Sequence, residues 1–302
     1  MAGEHCSCRD KSCPMHPSNH AQGCTPCILK NLRLGEIPSC FFNKVTNDLD
    51  KLDSFSMESF AKAVLEKAEQ TETGGKKMKK IGMLVAVEIG SVLGKYGRAA
   101  EEIDRFGFQV YKYILPKCEL YVVHSGAGEI AAAAATQLLI AVYGVEAIVN
   151  FGVVGGLTEE MKLARTVVVE RVVHYDFDTS PVDHCEVGRY LRYPTVHIPL
   201  DARLINLACA AAPELVRVTC ASGDKFIDGP EKKQQLARDF DADICEMELA
   251  AIVLTCDRSG IPCLAIKTVS DAVGGGADEF SRMVDHAADI CLQVTDRILG
   301  DI

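Results

Sequence analysis

Four stretches of the chain carry residue types able to do chemistry. Glu246-Met247-Glu248 sets two carboxylates around a methionine at the start of an Ala/Leu-rich run. Thr268-Val269-Ser270-Asp271 ends an apolar run on an acid. Carboxylates so placed can move protons or accept hydrogen bonds. Ser125-Gly126-Ala127-Gly128 follows another apolar run, and its glycines permit close backbone approach to a ligand and free amides at a helix start. Each also has a plain structural reading: a first-turn carboxylate that complements the helix dipole, a helix cap, a tight strand–helix turn. The fourth stretch is the N-terminus. Cys24-Thr-Pro-Cys27, with Cys6, Cys8, Cys13 and Cys40 and the histidines His5, His16 and His20, offers ample soft ligands for tetrahedral zinc. An iron–sulfur site or redox-active or unpaired thiols are the alternatives, and Cys24 and Cys27 with two of the other four are the expected metal set.

The elements that must position these residues follow from apolar runs and their punctuation. Short apolar runs at 81–87, 120–124, 147–151, 166–173, 216–221 and 262–269 read as buried strands. Between and after them, 129–143, 246–257 and 279–299 read as helices. Strands alternating with helices predict an α/β fold with a largely parallel sheet. Ligands of such sheets bind at the carboxyl ends of the strands. Glu88, Ser125-Gly126, residues 150–152 ending at Gly152, Ser222-Gly223-Asp224 and Ser270-Asp271 fall there. Upstream, three parts are expected: a Cys-rich module at 1–42, a polar connector at 43–80 and the large domain at 81–302. In the connector Ser56 is the expected cap of a helix with Phe60, Val64 and Ala68 on one face. Thr-Glu-Thr-Gly-Gly (71–75) ends it, and Lys76, Lys77, Lys79 and Lys80 read as a solvated linker.

Composition narrows the function. The chain has 302 residues, 48% of them hydrophobic and 25% charged, enough for a sizeable core and outside the range of wholesale disorder. Its formal net charge of −10 argues against nucleic-acid binding by phosphate neutralisation. The apolar stretch between 130 and 157 is interrupted by Gln137, Glu146 and Asn150, so no membrane span is expected. The N-terminus lacks a basic-then-apolar leader, so a cytoplasmic, reducing location is expected, where clustered cysteines serve metals more often than disulfides. Cys118, Cys209, Cys256 and Cys291 sit in apolar contexts and read as core.

Six segments, in order and at compatible separations, carry a resemblance over residues 81–299. They are Ile-Gly-Met-Leu-Val-Ala-Val-Glu (81–88), Ser-Gly-Ala-Gly (125–128), Asn-Phe-Gly-Val-Val-Gly-Gly-Leu (150–157), Ser-Gly-Asp-Lys-Phe-Ile (222–227), Glu-Met-Glu-Leu-Ala-Ala-Ile (246–252) and Val-Ser-Asp (269–271). The chain resembles the nucleoside phosphorylase/nucleosidase superfamily, and looks closest to the methylthioadenosine/S-adenosylhomocysteine nucleosidases. The resemblance implies a three-layer α/β/α domain with a mixed, partly barrelled sheet and a homo-oligomer. It also implies cleavage of an adenosine-type nucleoside, with Asp271 protonating the purine at N7 and Glu248 accepting hydrogen bonds from ribose hydroxyls. Met247 would pack on the sugar, Phe226 and Ile227 would hold the base, and Ser125 would sit near the attacking oxygen. Where the hydrolases carry their water-positioning glutamate this chain has Gly90, and Glu88, two residues earlier on an extended segment, would face the same pocket. Lys267 stands in place of the family's arginine before the catalytic acid. Asn150, Val153 and Gly94 stand where phosphorylases place phosphate ligands, which favours water as the attacking group. Phosphorolysis, and nucleoside binding or sensing without turnover, are the alternatives. No catalytic cofactor is implied. The N-terminal segment resembles a small uncharacterised Cys-rich microbial module.

Overall fold

The computed structural model describes residue 8, residues 11–46, residue 49, residues 52–73 and residues 78–302. It divides into two compact units, Met1–Lys77 and Met78–Ile302.

In the first unit a short 3-10 turn, Pro17–Asn19, precedes α1 (Thr25–Leu34), α2 (Ser39–Phe42) and α3 (Met57–Thr73). Ser56 caps α3 as its sequence suggests: its hydroxyl accepts from the Ser59 amide at 3.1 Å. Phe42 is fully buried and meets the rings of Phe55 and Phe60 edge-on, each at 5.2 Å. Aromatic burial thus ties the expected connector into one small core with the Cys-rich segment. Among the described residues no disulfide forms, and Cys8, Cys13, Cys24, Cys27 and Cys40 are each half-buried. No three His, Cys, Asp or Glu side chains among the described residues gather as a metal would require. Cys6, His5, Gly74, Gly75, Lys76 and Lys77 lie outside the described residues.

The second unit is built on ten strands. In chain order they are β1 (Lys79–Val85), β2 (Glu101–Arg105), β3 (Phe108–Ile114), β4 (Cys118–His124), β5 (Ala147–Gly156), β6 (Thr166–His174), β7 (Ile198–Pro199), β8 (Val216–Ser222), β9 (Ile244–Glu246) and β10 (Cys263–Asp271). Interleaved are α4 (Ile89–Tyr96), α5 (Glu129–Leu138), α6 (Ser180–Asp183), α7 (Ala202–Ala211), α8 (Pro230–Phe240), α9 (Leu249–Ser259) and α10 (Ala277–Leu299). The sheet runs β10-β6-β8-β9-β5-β1-β4-β3-β2, and an added β10–β5 pairing closes five of these strands into a barrel. The pairings β1–β4, β1–β5, β5–β10, β6–β8 and β8–β9 are parallel, while β6–β10, β5–β9 and β2–β3–β4 are antiparallel. The sheet is therefore mixed and partly barrelled, as the resemblance implies.

Burial explains the long strands. All nine residues of β10 are buried, and β5 is buried at every position but one. Both are core strands covered on both sides and carry no alternating pattern. Along α10 the buried positions Ala287, Ala288, Cys291, Leu292, Val294, Thr295, Ile298 and Leu299 recur with helical spacing. Several boundaries differ from the sequence reading. Lys79 and Lys80 open β1 instead of lying in a linker. β5 does not stop at Phe151 but continues through Gly152 to Gly156. Glu246 ends a strand, and the helix after it begins only at Leu249. The chain turns helical at Ile89, so Glu88 and Gly90 do not share one side of an extended segment. Among the described residues, no helix is long and apolar enough to cross a membrane.

Candidate active site

The carboxyl ends of β1, β5, β9 and β10 converge on one cleft. Of the expected site residues, Glu88, Phe226, Ile227, Met247, Glu248 and Asp271 line it, joined by Glu246, Ala127, Cys245 and Phe280. Ser125, Gly126, Gly152 and Lys267 are not among the lining residues, although the last two lie directly behind Glu88.

Asp271 is delivered by an irregularity. The register of β10 against β5 shifts between Val269 and Asp271. Such a bulge re-aims a side chain that strict alternation would direct elsewhere. The Asp271 carboxylate is held at both ends, with Oδ1 accepting from the Ser270 hydroxyl at 2.9 Å and Oδ2 from the Lys233 ammonium at 2.5 Å. Lys233 and Asp271 are both almost completely buried. The sequence reading missed Lys233. Its signal was spacing: Lys233, Leu236, Ala237 and Phe240 fall on the inward face of α8, where a lysine needs a buried partner.

Glu88 sits at the turn from β1 into α4. Its Oε2 accepts from the Val87 amide at 3.0 Å and its Oε1 from the Val153 amide at 2.8 Å, across the sheet on β5. Glycine at 152 leaves room for this carboxylate: a Cβ there would lie 2.8 Å from Glu88 Oε1, which would have to shift, and 3.6 Å from Lys267 Nζ. Gly90 lies in the first turn of α4 and opens on a different depression, shared with Lys95, Asp285 and Asp289. Glu88 thus brings a carboxylate into the cleft, and the aligned position Gly90 does not.

Glu246 and Glu248 do different work. Glu246 accepts from the Glu248 and Leu249 amides at 2.9–3.1 Å, so a strand-end carboxylate satisfies the open N-terminus of α9. It also pairs with the buried Lys267 at 3.3 Å. Burial would lower the affinity of Lys267 for its proton, but Glu246, Glu248 and Glu88 more than offset this and raise it. Glu248 accepts from the Gly128 amide at 2.8 Å, so the Gly-rich turn after β4 positions a carboxylate. Burial first and the Glu246 charge second push the Glu248 carboxyl up to about 8, against the lowering influence of Lys267 and the Gly128 amide. Ser125 directs its hydroxyl to the carbonyls of Val85 and Gly126, at 3.2 and 2.8 Å, and so holds the turn itself.

The opposite wall is apolar. Phe226 is 44% exposed at the mouth and meets Phe280, from the first turn of α10, edge-on at 5.5 Å. His174, which does not line the cleft, bonds Glu129 at 2.7 Å and Asp176 at 3.1 Å, with Tyr190 on its other nitrogen at 2.8 Å. Burial works against the imidazolium, yet the two carboxylates raise its proton affinity overall. His174 is thus spoken for by structure. An aromatic wall beside an acid and a carboxylate acceptor can hold a planar base, protonate it, and bind a polyhydroxylated group next to it.

Comparison with known proteins agrees with this geometry. The family model described as Phosphorylase superfamily matches residues 80–300. One for a domain of unknown function, DUF6485, matches residues 2–69. The chain is 31% identical over 221 residues to an aminodeoxyfutalosine nucleosidase of Helicobacter pylori, spanning 70% of this chain and 95% of that protein. It is 33% identical over 178 residues to a 5'-methylthioadenosine/S-adenosylhomocysteine nucleosidase of Shewanella halifaxensis, spanning 56% and 76% respectively. Among solved structures, the native futalosine hydrolase of Helicobacter pylori superposes with a TM-score of 0.71 at 28% identity, covering 76% of this chain and 100% of that one. With the family model spanning the whole catalytic unit, and relatives that are named nucleosidases, the chain belongs to the Phosphorylase superfamily.

Proposed function

We propose that the protein is an N-ribohydrolase that cleaves adenosine-type nucleosides with water. The carrying observation is that Glu88, Glu246, Glu248 and Asp271 all line one cleft. Among the described residues lining it, the one cation is Lys225, 63% exposed and 3.6 Å from Asp176. The other basic residues nearby are buried and paired, Lys267 against Glu246 and Lys233 against Asp271. A phosphate nucleophile needs anchoring cations, and the cleft lining offers only the exposed Lys225; water needs none.

The roles follow the geometry. Phe226 and Ile227 hold the purine, Met247 packs on the sugar, and Glu248 accepts from its hydroxyls. Asp271 gives a proton to N7 as the C1′–N9 electron pair leaves with the purine. Water adds to C1′ and yields its proton to Glu88, which is already oriented by two amides. Solvent exchange returns Glu88 and Asp271 to their starting protonation states. Each of these groups acts where charge changes in the transition state, which is where a binding interaction raises the rate.

The test is a nucleoside panel, including methylthioadenosine, S-adenosylhomocysteine and an aminodeoxyfutalosine-type nucleoside, assayed for free adenine with and without phosphate. Free adenine with unphosphorylated sugar in phosphate-free buffer is the expected result. Turnover confined to phosphate buffer reassigns the protein as a phosphorylase, and saturable binding with no product reassigns it as a sensor.

A further inference from the structure

We propose that Lys233 is a positioning residue for Asp271: it fixes the plane of the acid and stabilises the carboxylate left when the proton passes to N7. This rests on the hydrolytic reading above. An ammonium has three donors, and those of Lys233 are matched by three acceptors: Asp271 Oδ2 at 2.5 Å, the Ala272 carbonyl at 2.7 Å and the Asp271 carbonyl at 3.4 Å. Lys233 therefore grips the side chain of Asp271 and its main chain together. The Ser270 hydroxyl on Oδ1 at 2.9 Å completes the clamp. Lys233 does not line the cleft, so it reaches the substrate only through Asp271.

The surroundings are shaped around this pair. At Gly155 a Cβ would stand 3.2 Å from Asp271 Oδ2, 3.6 Å from Lys233 Cε and 3.1 Å from Cys245 Sγ. β5 thus keeps its backbone bare where the pair passes. Lys233 also sits one helical turn beyond Gly229, at the start of the helix that follows the base-holding segment Phe226-Ile227. Base holder and acid clamp therefore hang on one short piece of chain. An ion pair this deeply buried is weak as a stabiliser, because desolvating two charges offsets most of their attraction, and apolar replacements are often no less stable. A fixed dipole facing a developing charge is worth far more, because no solvent must reorganise when the proton moves.

The experiment compares two leaving groups in the full-length protein. Methylthioadenosine needs its purine protonated to depart, whereas 4-nitrophenyl riboside releases a stable phenolate unaided. With Lys233→Met, kcat on methylthioadenosine should fall about 10²-fold with KM little changed, while the nitrophenyl riboside loses much less. Lys233→Arg, which keeps the charge but not the point geometry, should recover part of the loss. Should Lys233→Met not fold, Lys233→Gln, which keeps a donor for the Ala272 carbonyl, reads the same ratio. Equal losses on both substrates, or no loss, overturn the proposal and leave Lys233 as a structural residue. Should methylthioadenosine not be cleaved, the nucleoside of the panel that is cleaved takes its place, and a wild-type protein that cleaves none of the panel overturns the functional reading, and this inference with it.

Discussion

Glu248 is the residue whose chemistry is most exposed to pH. As the acceptor of ribose hydroxyls it works best ionised, yet burial and Glu246 push its carboxyl up to about 8. In the free enzyme kcat/KM should therefore rise with pH along a limb near that value. Bound hydroxyls favour the ionised form, so the matching limb of kcat should lie lower. Glu246→Gln removes the adjacent negative charge and frees Lys267 to act on Glu248. Both changes favour the carboxylate, so the limb should move to lower pH; a limb that stays put or moves up would show that Glu248 is not the titrating group. Asp271 gives a second residue-scale expectation. Asp271→Asn keeps the shape of the acid but cannot give up a proton, so adenine release should drop by about 10²–10⁴-fold while nucleoside binding, read by calorimetry, persists.

The elements that hold these groups matter as much as the groups. Strand β5 runs behind both Glu88 and Asp271 and is bare at Gly152 and Gly155 where the two side chains pass. In Gly152→Ala the new methyl would lie 2.8 Å from Glu88 Oε1, so the carboxylate must swing away from the Val153 amide. A shift on the scale of 1 Å at a positioned group costs on the order of 10² in rate, so kcat should fall far more than thermal stability. A thermal loss without a rate loss would mean that Glu88 does not position water. These dependencies also show why the sequence was legible in part. Six strands, β1, β4, β5, β6, β8 and β10, are readable because buried strands are largely apolar runs. The β2–β3 hairpin was not, because β2 reads Glu-Glu-Ile-Asp-Arg on an exposed edge and buries almost nothing. β9 reads as the start of a helix because its three residues run almost directly into the apolar sequence of α9. Asp271, Glu248 and Glu88 could be named from motifs, since a motif is local. Lys233 could not, because its partner is 38 residues away and only the fold brings them together.

At the scale of the whole chain, the division at Lys77 and Met78 separates the chemistry from the six N-terminal cysteines. Every residue that lines the cleft, from Ala86 to Phe280, belongs to the second unit, as do the clamps Lys233, Lys267 and Gly128. That unit also has its own continuous core, running from Ile81 to Ile302. The first unit has a core of a different kind, a small aromatic cluster around Phe42, too few apolar residues for a segment of this length to be strongly stable alone. Residues 78–302 produced by themselves should therefore fold with a cooperative thermal transition and release adenine with kcat/KM within about threefold of the full chain, a difference below about 1 kcal/mol. If activity instead falls by more than about tenfold while the shortened protein remains folded, the N-terminal unit contributes to catalysis, and its cysteines become the first place to look for how. Comparing the two proteins with and without a chelator separates the routes. A chelator effect seen only in the full chain assigns the contribution to a metal held by the first unit, and a reductant effect seen only there assigns it to thiol chemistry.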